Sequence, residues 1–323
     1  MRLPLTQPSI FNCMAQFSTR PPKTGAGSEE PQLLAWSQSD IENRLGFRGG
    51  RHTGVNHLFA FTVGILLTGV TYGLSVTILQ KFEYTRPLAT MILRPGNQFT
   101  MIPATLFFFA GVAVLLIKDR KLKFQRRTLE LSAVPDAAEF TLTETTAATV
   151  LSRIHSLVDH PRHFVLLNRI DRALSNLKNI GQINDASSIL RAQGENDEDQ
   201  LASSYTLVNG LVWAIPVLGF IGTVQGLSMA IGQFTQTLQS SGDISMIRTS
   251  LQGVTAGLST AFETTLIALV FALILQLWIT VMQKREMTFL DECNDYCHSH
   301  VVSKLRLLDR APGGAPAAGQ ELS

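Results

Sequence analysis

Four long apolar stretches constrain the fold of this 323-residue chain more than any other feature. They cover residues 58–79, 99–117, 211–231 and 251–281, and only the last contains a charged residue. A membrane-spanning helix needs about 20 mostly apolar residues, so each stretch is close to the required length or beyond it. Because lipid offers no hydrogen-bond partners, a crossing backbone must pair its own polar groups, as a helix does. We therefore predict an all-α, polytopic membrane protein with four transmembrane helices and a helical cytoplasmic domain.

Composition supports this class and argues against others. Charged residues make up 16% of the chain and the mean hydropathy is +0.17, whereas ordinary soluble domains carry roughly 25% charged residues. The net charge of +2 is too small to indicate a nucleic-acid partner, so none is predicted. The sequence contains no nucleophile–base pair, phosphate-binding glycine loop or dinucleotide fingerprint. Enzymatic activity and an organic cofactor are therefore not expected.

Positive charge indicates the orientation of the spans. Six basic residues crowd the exit of the second stretch: Lys118, Arg120, Lys121, Lys123, Arg126 and Arg127. The loop between the third and fourth stretches carries a single arginine. Because cytoplasmic loops carry the excess of lysine and arginine, both termini and the long middle segment are predicted to be cytoplasmic.

Five parts follow along the chain. We expect a largely disordered cytoplasmic tail (1–53), a transmembrane hairpin (54–117), a cytoplasmic helical domain (118–204), a pair of closely packed spanning helices (205–283), and a helical extension with a disordered tail (284–323). Within the cytoplasmic domain, apolar residues at helical spacing predict amphipathic helices over 150–158 and 166–180. The acidic run at 194–200 is expected to break the helix, and the fourth spanning helix is expected to continue beyond the membrane.

The third and fourth stretches each hold a threonine on a face of small residues. Thr223 recurs at helical spacing with Gly219 and Gly226, and Thr265 does so with Ala261 and Ala268. Faces of small residues let helix backbones approach closely in lipid. The further small residues assigned to the packing of these helices are Gly222 and Gly257, with Pro216 expected to bend the third helix or open a hinge.

The two threonines are predicted to share a central depth. With Trp213 and Trp278 as anchors at the cytoplasmic interface, a rise of about 1.5 Å per residue puts Thr223 roughly 15 Å above Trp213. The same arithmetic puts Thr265 roughly 20 Å above Trp278, in a core about 30 Å thick. We therefore predict that both hydroxyls line an ion path. The alternative is that each hydroxyl bonds to its own helix and that the small faces serve packing alone.

Glu263 is a lone carboxylate in the fourth stretch. A charge at this depth costs around 2.5–3.5 kcal/mol on insertion scales, and such residues are functional candidates by default. Glu263 lies two residues from Thr265, which turns it about 200° around the helix. It is therefore predicted to face a neighbouring helix or subunit, on roughly the same side as Thr260, with a role in ion passage or assembly. The alternative is a protonated structural group.

These residues resemble the signature of a known family. The run IPVLGFIGTVQGL is similar to the proline and Gly-x-x-Gly-Thr-x-x-Gly-Leu pattern of the MotA/TolQ/ExbB proton channel family. The positions that fill this pattern are Pro216, Gly219, Gly222, Thr223, Gly226 and Leu227. The run GLSTAFETTLIAL resembles the second pore-lining helix, with Thr265 as its pore threonine. Relatives of the TolQ and ExbB type carry a glutamate where this chain has Thr260, and here the acid lies one turn later, at Glu263.

The resemblance covers about 70 residues (211–281) and implies an ion-driven device in a bacterial inner membrane. It implies a homo-oligomer, a pentamer, around a dimer of a single-span partner of the MotB/TolR/ExbD type whose membrane aspartate takes up the ion. The implied path residues are Thr223, Thr265, Glu263 and Thr260, and the ion is a proton or sodium. The alternatives are a non-conducting oligomeric membrane scaffold and, less favoured by the sequence, a secondary transporter.

Two further groups of residues carry weaker signals. Arg169, Asp171 and Arg172 are candidates, by location alone, for the cytoplasmic charges of a stator. The run CNDYCHSH brings Cys293, Cys297, His298 and His300 together in sequence. Standard zinc spacings are not met there, so no metal site is predicted.

Overall fold

The computed structural model describes residues 34, 36, 41–47, 49–50, 52–76, 98–131, 133–135, 140–175, 183–239 and 244–305. The predicted disordered tails fall almost wholly outside these residues, as do positions 176–180 of the second predicted amphipathic helix.

Helices dominate the described residues. In chain order they are α1 (Ile41–Arg44), α2 (His57–Leu74), α3 (Gln98–Glu130), α4 (Glu144–Leu157), α5 (Val165–Ser175), α6 (Ile183–Ser204), α7 (Thr206–Gln239) and α8 (Ile244–Cys297). A 3₁₀ turn (Pro161–His163) precedes α5, and a π-helical turn (His298–Val302) follows α8. The described residues contain two isolated β-bridges and no strand. The all-α prediction is confirmed.

Four helical segments are long and apolar enough to cross a membrane. They lie within His57–Leu74, Gln98–Glu130, Ala186–Gly232 and Leu251–Val302. The prediction of four spanning helices is therefore confirmed, and each predicted stretch falls largely on one of these segments. As expected, α8 continues without a break well past the fourth apolar stretch, as far as Cys297.

The chain divides into two compact units. The first, here called the spanning unit, comprises Ser37–Phe124 and Glu198–Phe289 and contains all four apolar stretches. The second, here called the flanking unit, comprises Met1–Trp36, Gln125–Asp197 and Leu290–Ser323.

Close contacts hold α2 and α8 against α3 within the spanning unit. The side chain of Asn56 caps α2 by accepting from the Leu58 amide at 3.0 Å, which satisfies a donor that the helix leaves free. A Cβ on Gly64 would lie 3.0 Å from the Ala110 nitrogen, so glycine permits the close approach of α2 to α3. On the other side of α3, the rings of Phe108 and Phe271 stack with centroids 4.3 Å apart.

The flanking unit buries the apolar faces that the sequence predicted for α4 and α5. Its core includes Val150, Ile154, Leu166, Leu167, Ile170 and Leu174. The Gln125 side chain of α3 binds the turn between α4 and α5. It donates to the His163 carbonyl at 2.6 Å and accepts from the Val165 amide at 3.1 Å. Thr143 caps α4 through reciprocal hydrogen bonds with Thr146.

The expected helix break at residues 194–200 is wrong, because this acidic run lies inside α6. Asp197 is buried and accepts from Nε of Arg169 at 2.7 Å, so one acid is neutralised by tertiary structure. Gly194 lies close to Asn294, whose Oδ1 would be 3.1 Å from a Cβ at that position. Contacts distant in sequence therefore override the local preference of an acidic, glycine-containing segment.

Candidate functional site

The small-residue faces of α7 and α8 pack against each other within one chain. A Cβ on Gly219 would lie 2.6 Å from the Cβ of Ala268, and one on Gly226 would lie 3.1 Å from the Cβ of Ala261. Real Cβ atoms do not approach as closely as 2.6 Å, so the contact with Ala268 requires glycine at position 219, whereas a Cβ on Gly226 would require its neighbours to shift by a few tenths of an ångström. A Cβ on Gly257 would lie 2.8 Å from the Cβ of Ala230 and would clash in the same way. These residues bring the backbones of α7 and α8 into contact, as small residues do in lipid.

Thr265 lies on this interface and connects the two helices. Its hydroxyl is within hydrogen-bond distance of two carbonyls, Gly219 on α7 at 3.3 Å and Ala261 on α8 at 3.2 Å. The side chain is half-buried. A threonine hydroxyl shared between two helices is polar, accessible in part, and able to both accept and donate a hydrogen bond.

Thr223 is half-buried beside the same interface, and its hydroxyl donates to the Phe220 carbonyl at 2.6 Å. Because its neighbour Gly222 lies against Thr264 across the interface, Thr223 and Thr265 are within about one helical turn, or ~5 Å, in depth. Their hydroxyls donate to carbonyl oxygens and not to each other. In this single chain each hydroxyl retains lone pairs that an ion or water would use.

Thr264 is a polar residue of this interface that sequence reasoning missed. It is fully buried, and its hydroxyl donates to the Ala261 carbonyl at 2.9 Å. A Cβ on Gly222 would lie 2.7 Å from the Thr264 hydroxyl oxygen. The adjacent threonines in FETTL were a signal, but spacing alone did not say which of the two faces α7.

Glu263 heads a polar stripe along α8 with Ser259, which precedes it by one turn. The Ser259 hydroxyl donates to Oε1 of Glu263 at 2.9 Å. The neighbouring Thr260 is half-buried, and its hydroxyl donates to the Ala256 carbonyl at 2.9 Å. Glu263 is also half-buried as a residue, although Oε2 of its carboxylate is itself buried.

Pro216 lies inside α7, which continues through it from Thr206 to Gln239. A proline has no N–H to donate to the helix ladder, so a local bend at this position stays a prediction. Four residues of the sequence motif face α8 or flank that face, and all lie within three turns after Pro216: Gly219, Gly222, Thr223 and Gly226.

A buried charge cluster in the spanning unit also escaped sequence reasoning. It joins Lys118 on α3, Glu286 on α8, and Ser204 and Tyr205 at the junction of α6 and α7. The signal was present, because Lys118 and Glu286 each lie at or just beyond the end of an apolar stretch. The positive-inside rule places Lys118 on the cytoplasmic side of the membrane, but it does not predict that the side chain is buried.

Among the suggested stator charges, Arg169 is only 1% exposed. Its guanidinium pairs with Asp197 and also donates to the side chain of Asn294. It is therefore a core residue of the flanking unit and not available as a surface contact. Asp171 lies 3.5 Å from His155, and Arg172 is exposed.

The CNDYCHSH run divides between the core and the surface of the flanking unit. The thiols of Cys293 and Cys297 are free and buried, whereas His298 is exposed and His300 stacks on Tyr296 with ring centroids 4.3 Å apart. No group of three or more metal-binding side chains that could hold an ion was found among the described residues.

Comparison with known proteins gave one match. Residues 160–294 match the model of the MotA/TolQ/ExbB proton channel family, a range that includes α5, α6, α7 and nearly all of α8. The resemblance predicted from residues 211–281 is confirmed, and it extends into the flanking unit. No curated protein and no solved structure matches the chain. The matched family is one of membrane proton channels and not of enzymes.

Proposed function

We propose that this chain is the ring-forming subunit of an ion-driven channel or motor of the bacterial inner membrane. Ion-motive force, from protons or sodium, is converted into mechanical work through a single-span partner subunit. The proposal takes its class from the family match over residues 160–294. The ring, the partner and the ion are our inference from the resemblance and from the site.

The observation that carries the proposal is an acidic side chain within an apolar span: Glu263 is half-buried on α8, two residues from Thr265. Ionisable groups at membrane depth face a bundle interior or a water-filled cavity, because exposure to hydrocarbon is costly. One copy of the chain leaves Glu263 and Ser259 in part exposed. Further subunits, or an aqueous path between them, would remove that cost.

The threonines would serve this path as hydroxyl ligands. Thr265 contacts carbonyls of both helices and Thr223 lies within about one turn of it. A cation passing between α7 and α8 of one copy and a partner helix would meet both hydroxyls. A membrane aspartate on the single-span partner would take up the ion, as the resemblance implies, and the chain would supply the surrounding polar surface.

The scaffold alternative loses part of its support in the structure. It would use the small-residue faces to assemble copies of the chain. Those faces are occupied within one chain, since Gly219, Gly226 and Gly257 pack against residues of the facing helix. Assembly through them would require α7 and α8 to separate.

The subunit count tests the proposal. The full chain, purified in mild detergent with its co-purifying proteins, is measured by native mass spectrometry. We expect a pentamer that carries two copies of a smaller single-span protein. A monomer or dimer that persists across several mild detergents would contradict the ring.

A further inference from the structure

The junction of α6 and α7 carries a polar cluster that is almost completely buried. It consists of Lys118, Ser204, Tyr205 and Glu286, which all belong to the spanning unit. Lys118 and Tyr205 are 0% exposed and Glu286 is 1% exposed. Charged groups this deeply buried require close partners, because burial removes their hydration.

Each member of the cluster contacts at least one other. The Lys118 ammonium donates to the Ser204 hydroxyl at 2.8 Å and lies 3.3 Å from both carboxylate oxygens of Glu286. It also lies 4.1 Å from the centre of the Tyr205 ring, a cation–π distance. The Tyr205 hydroxyl donates to Oε2 of Glu286 at 2.7 Å. The carboxylate is therefore bound by an ammonium from α3 and a phenol from the start of α7.

The cluster connects the two helices that carry Thr223 and Thr265. Tyr205 interrupts the helical run between Ser204 and Thr206, and α7, which carries Thr223, begins at the next residue. Glu286 is on α8, the helix that carries Thr265 and Glu263. The Tyr205–Glu286 hydrogen bond therefore joins the beginning of α7 to α8.

The glycine contacts and the polar cluster constrain the helices differently. Van der Waals packing of small residues lets α7 and α8 approach closely. Hydrogen bonds are directional, and buried polar groups are best attested as devices that set register. The cluster therefore adds a directional connection between α7 and α8 beside the hydrogen bond from Thr265 to the Gly219 carbonyl.

We propose that Lys118, Tyr205 and Glu286 are positioning residues for the ion path. They set the axial register of α7 against α8 and so the spacing of Thr223 and Thr265. The effect of this register on ion passage rests on the proposed function, since the spacing of the threonines matters for function only if ions pass. The register itself is independent of that function and is measured separately.

A purely stabilising role makes a different prediction. Replacing both members of a buried ion pair with apolar residues of similar volume is often neutral or stabilising. If the cluster only stabilised the fold, the double variant K118M/E286L would keep both register and function. If it sets register, the same variant folds and assembles but loses both.

Disulfide trapping measures the register in the full-length chain. Cysteines are placed at Gly226 and Ala261 (G226C/A261C), and the native cysteines are replaced by alanine. A Cβ on Gly226 lies 3.1 Å from that of Ala261, which becomes compatible with the roughly 3.5–4.5 Å of a disulfide after a small shift. The trapping rate is compared in membranes with and without K118M/E286L, and ion flux is measured in liposomes with the co-purified partner.

The second buried Lys–Glu pair on α3 provides a matched control. Lys121 contacts Glu42 and the Gly54 carbonyl, both in the segment before α2. Like the pair in the cluster, it is buried, with side chains 5% and 0% exposed. The control variant K121M/E42L removes a second buried ion pair from α3, whose hydrogen bonds run to Glu42 and Gly54 and not to Tyr205 or Glu286, and it should leave trapping and flux unchanged.

We expect K118M/E286L to lower trapping and flux at least about tenfold, since a distant mutation that misplaces reacting groups by about 1 Å can cost about 100-fold in rate. Y205F keeps the ring but removes one donor, and should lower both by a smaller factor. If the double variant does not accumulate, Y205F decides. Trapping at the wild-type rate in K118M/E286L, or in Y205F where that variant decides, would overturn the proposal. If trapping is slower in the variant but the wild-type protein itself shows no ion flux, the result supports the positioning role and rejects the proposed function.

Discussion

Glu263 places a carboxylate in an apolar span, where the hydroxyl of Ser259 donates to it. The acid and Thr260 are three residues apart on α8 and both are half-buried. In the TolQ and ExbB pattern that this sequence resembles, the implied position of the glutamate is that of Thr260. The same side of α8 would therefore present an acid from either position, displaced by about one turn, or ~5 Å.

This geometry gives a prediction for the acid. E263Q keeps the shape and the contact with Ser259 but removes the acidic group, so ion flux in liposomes should fall about tenfold, equivalent to a barrier about 1.4 kcal/mol higher. Moving the acid, in the variant T260E/E263T, should restore flux in part. Unchanged flux in E263Q, with assembly intact, would leave Glu263 a structural group.

Helix packing explains why glycine, and not merely any small residue, occupies position 219. A Cβ there would lie 2.6 Å from the Cβ of Ala268 and 3.3 Å from the Cα of Thr265. The methyl group therefore cannot be added without moving the helices apart. Gly210, on the same helix, has no atom within 4 Å of a Cβ placed on it and is the matched control.

We expect G219A to lower the thermal stability of the detergent-purified chain, since overpacking a close contact costs typically about 1–3 kcal/mol. G210A should change it little. The compensating variant G219A/A268G removes the opposing methyl and should recover most of the loss. If G219A/A268G does not recover stability, the clash with Ala268 is not the cause of the loss in G219A.

In the flanking unit, α5 and α6 are joined by the buried pair of Arg169 and Asp197. Removing one partner of a buried pair leaves an uncompensated charge, which costs about 3–5 kcal/mol. D197N should therefore lower the unfolding temperature sharply, whereas R172M, at an exposed position of α5, should not. Equal stability of D197N and the wild type would show that the pair contributes nothing net.

At the scale of the whole molecule, four spans and an all-α architecture were predictable, because long apolar runs in lipid leave the backbone little choice but helix. The small-residue faces predict close helix packing, but the sequence does not show that the two faces meet within one chain. Contacts across many residues were not predictable. The burial of Arg169, the helical course of residues 194–200 and the Lys118–Glu286 pair all depend on partners more than 25 residues away.

In the function proposed for this chain, an ion passes along the hydroxyls of α7 and α8. Thr280, near the end of the apolar stretch of α8, donates to the Gln276 carbonyl at 2.9 Å and offers a matched threonine outside the proposed path. T223V/T265V and T280V differ little in volume from the wild type. T223V/T265V leaves Gly219, Gly226 and Gly257 unchanged, although it removes the hydrogen bond from Thr265 to the Gly219 carbonyl.

The decisive measurement is ion flux in liposomes that contain the chain and its co-purified partner. A pH-sensitive dye and a sodium dye report the two candidate ions under an imposed membrane potential. We predict that T223V/T265V keeps the subunit count yet loses flux at least about tenfold, while T280V conducts as the wild type does. Wild-type flux of either ion in T223V/T265V would show that the ion does not pass along these two hydroxyls.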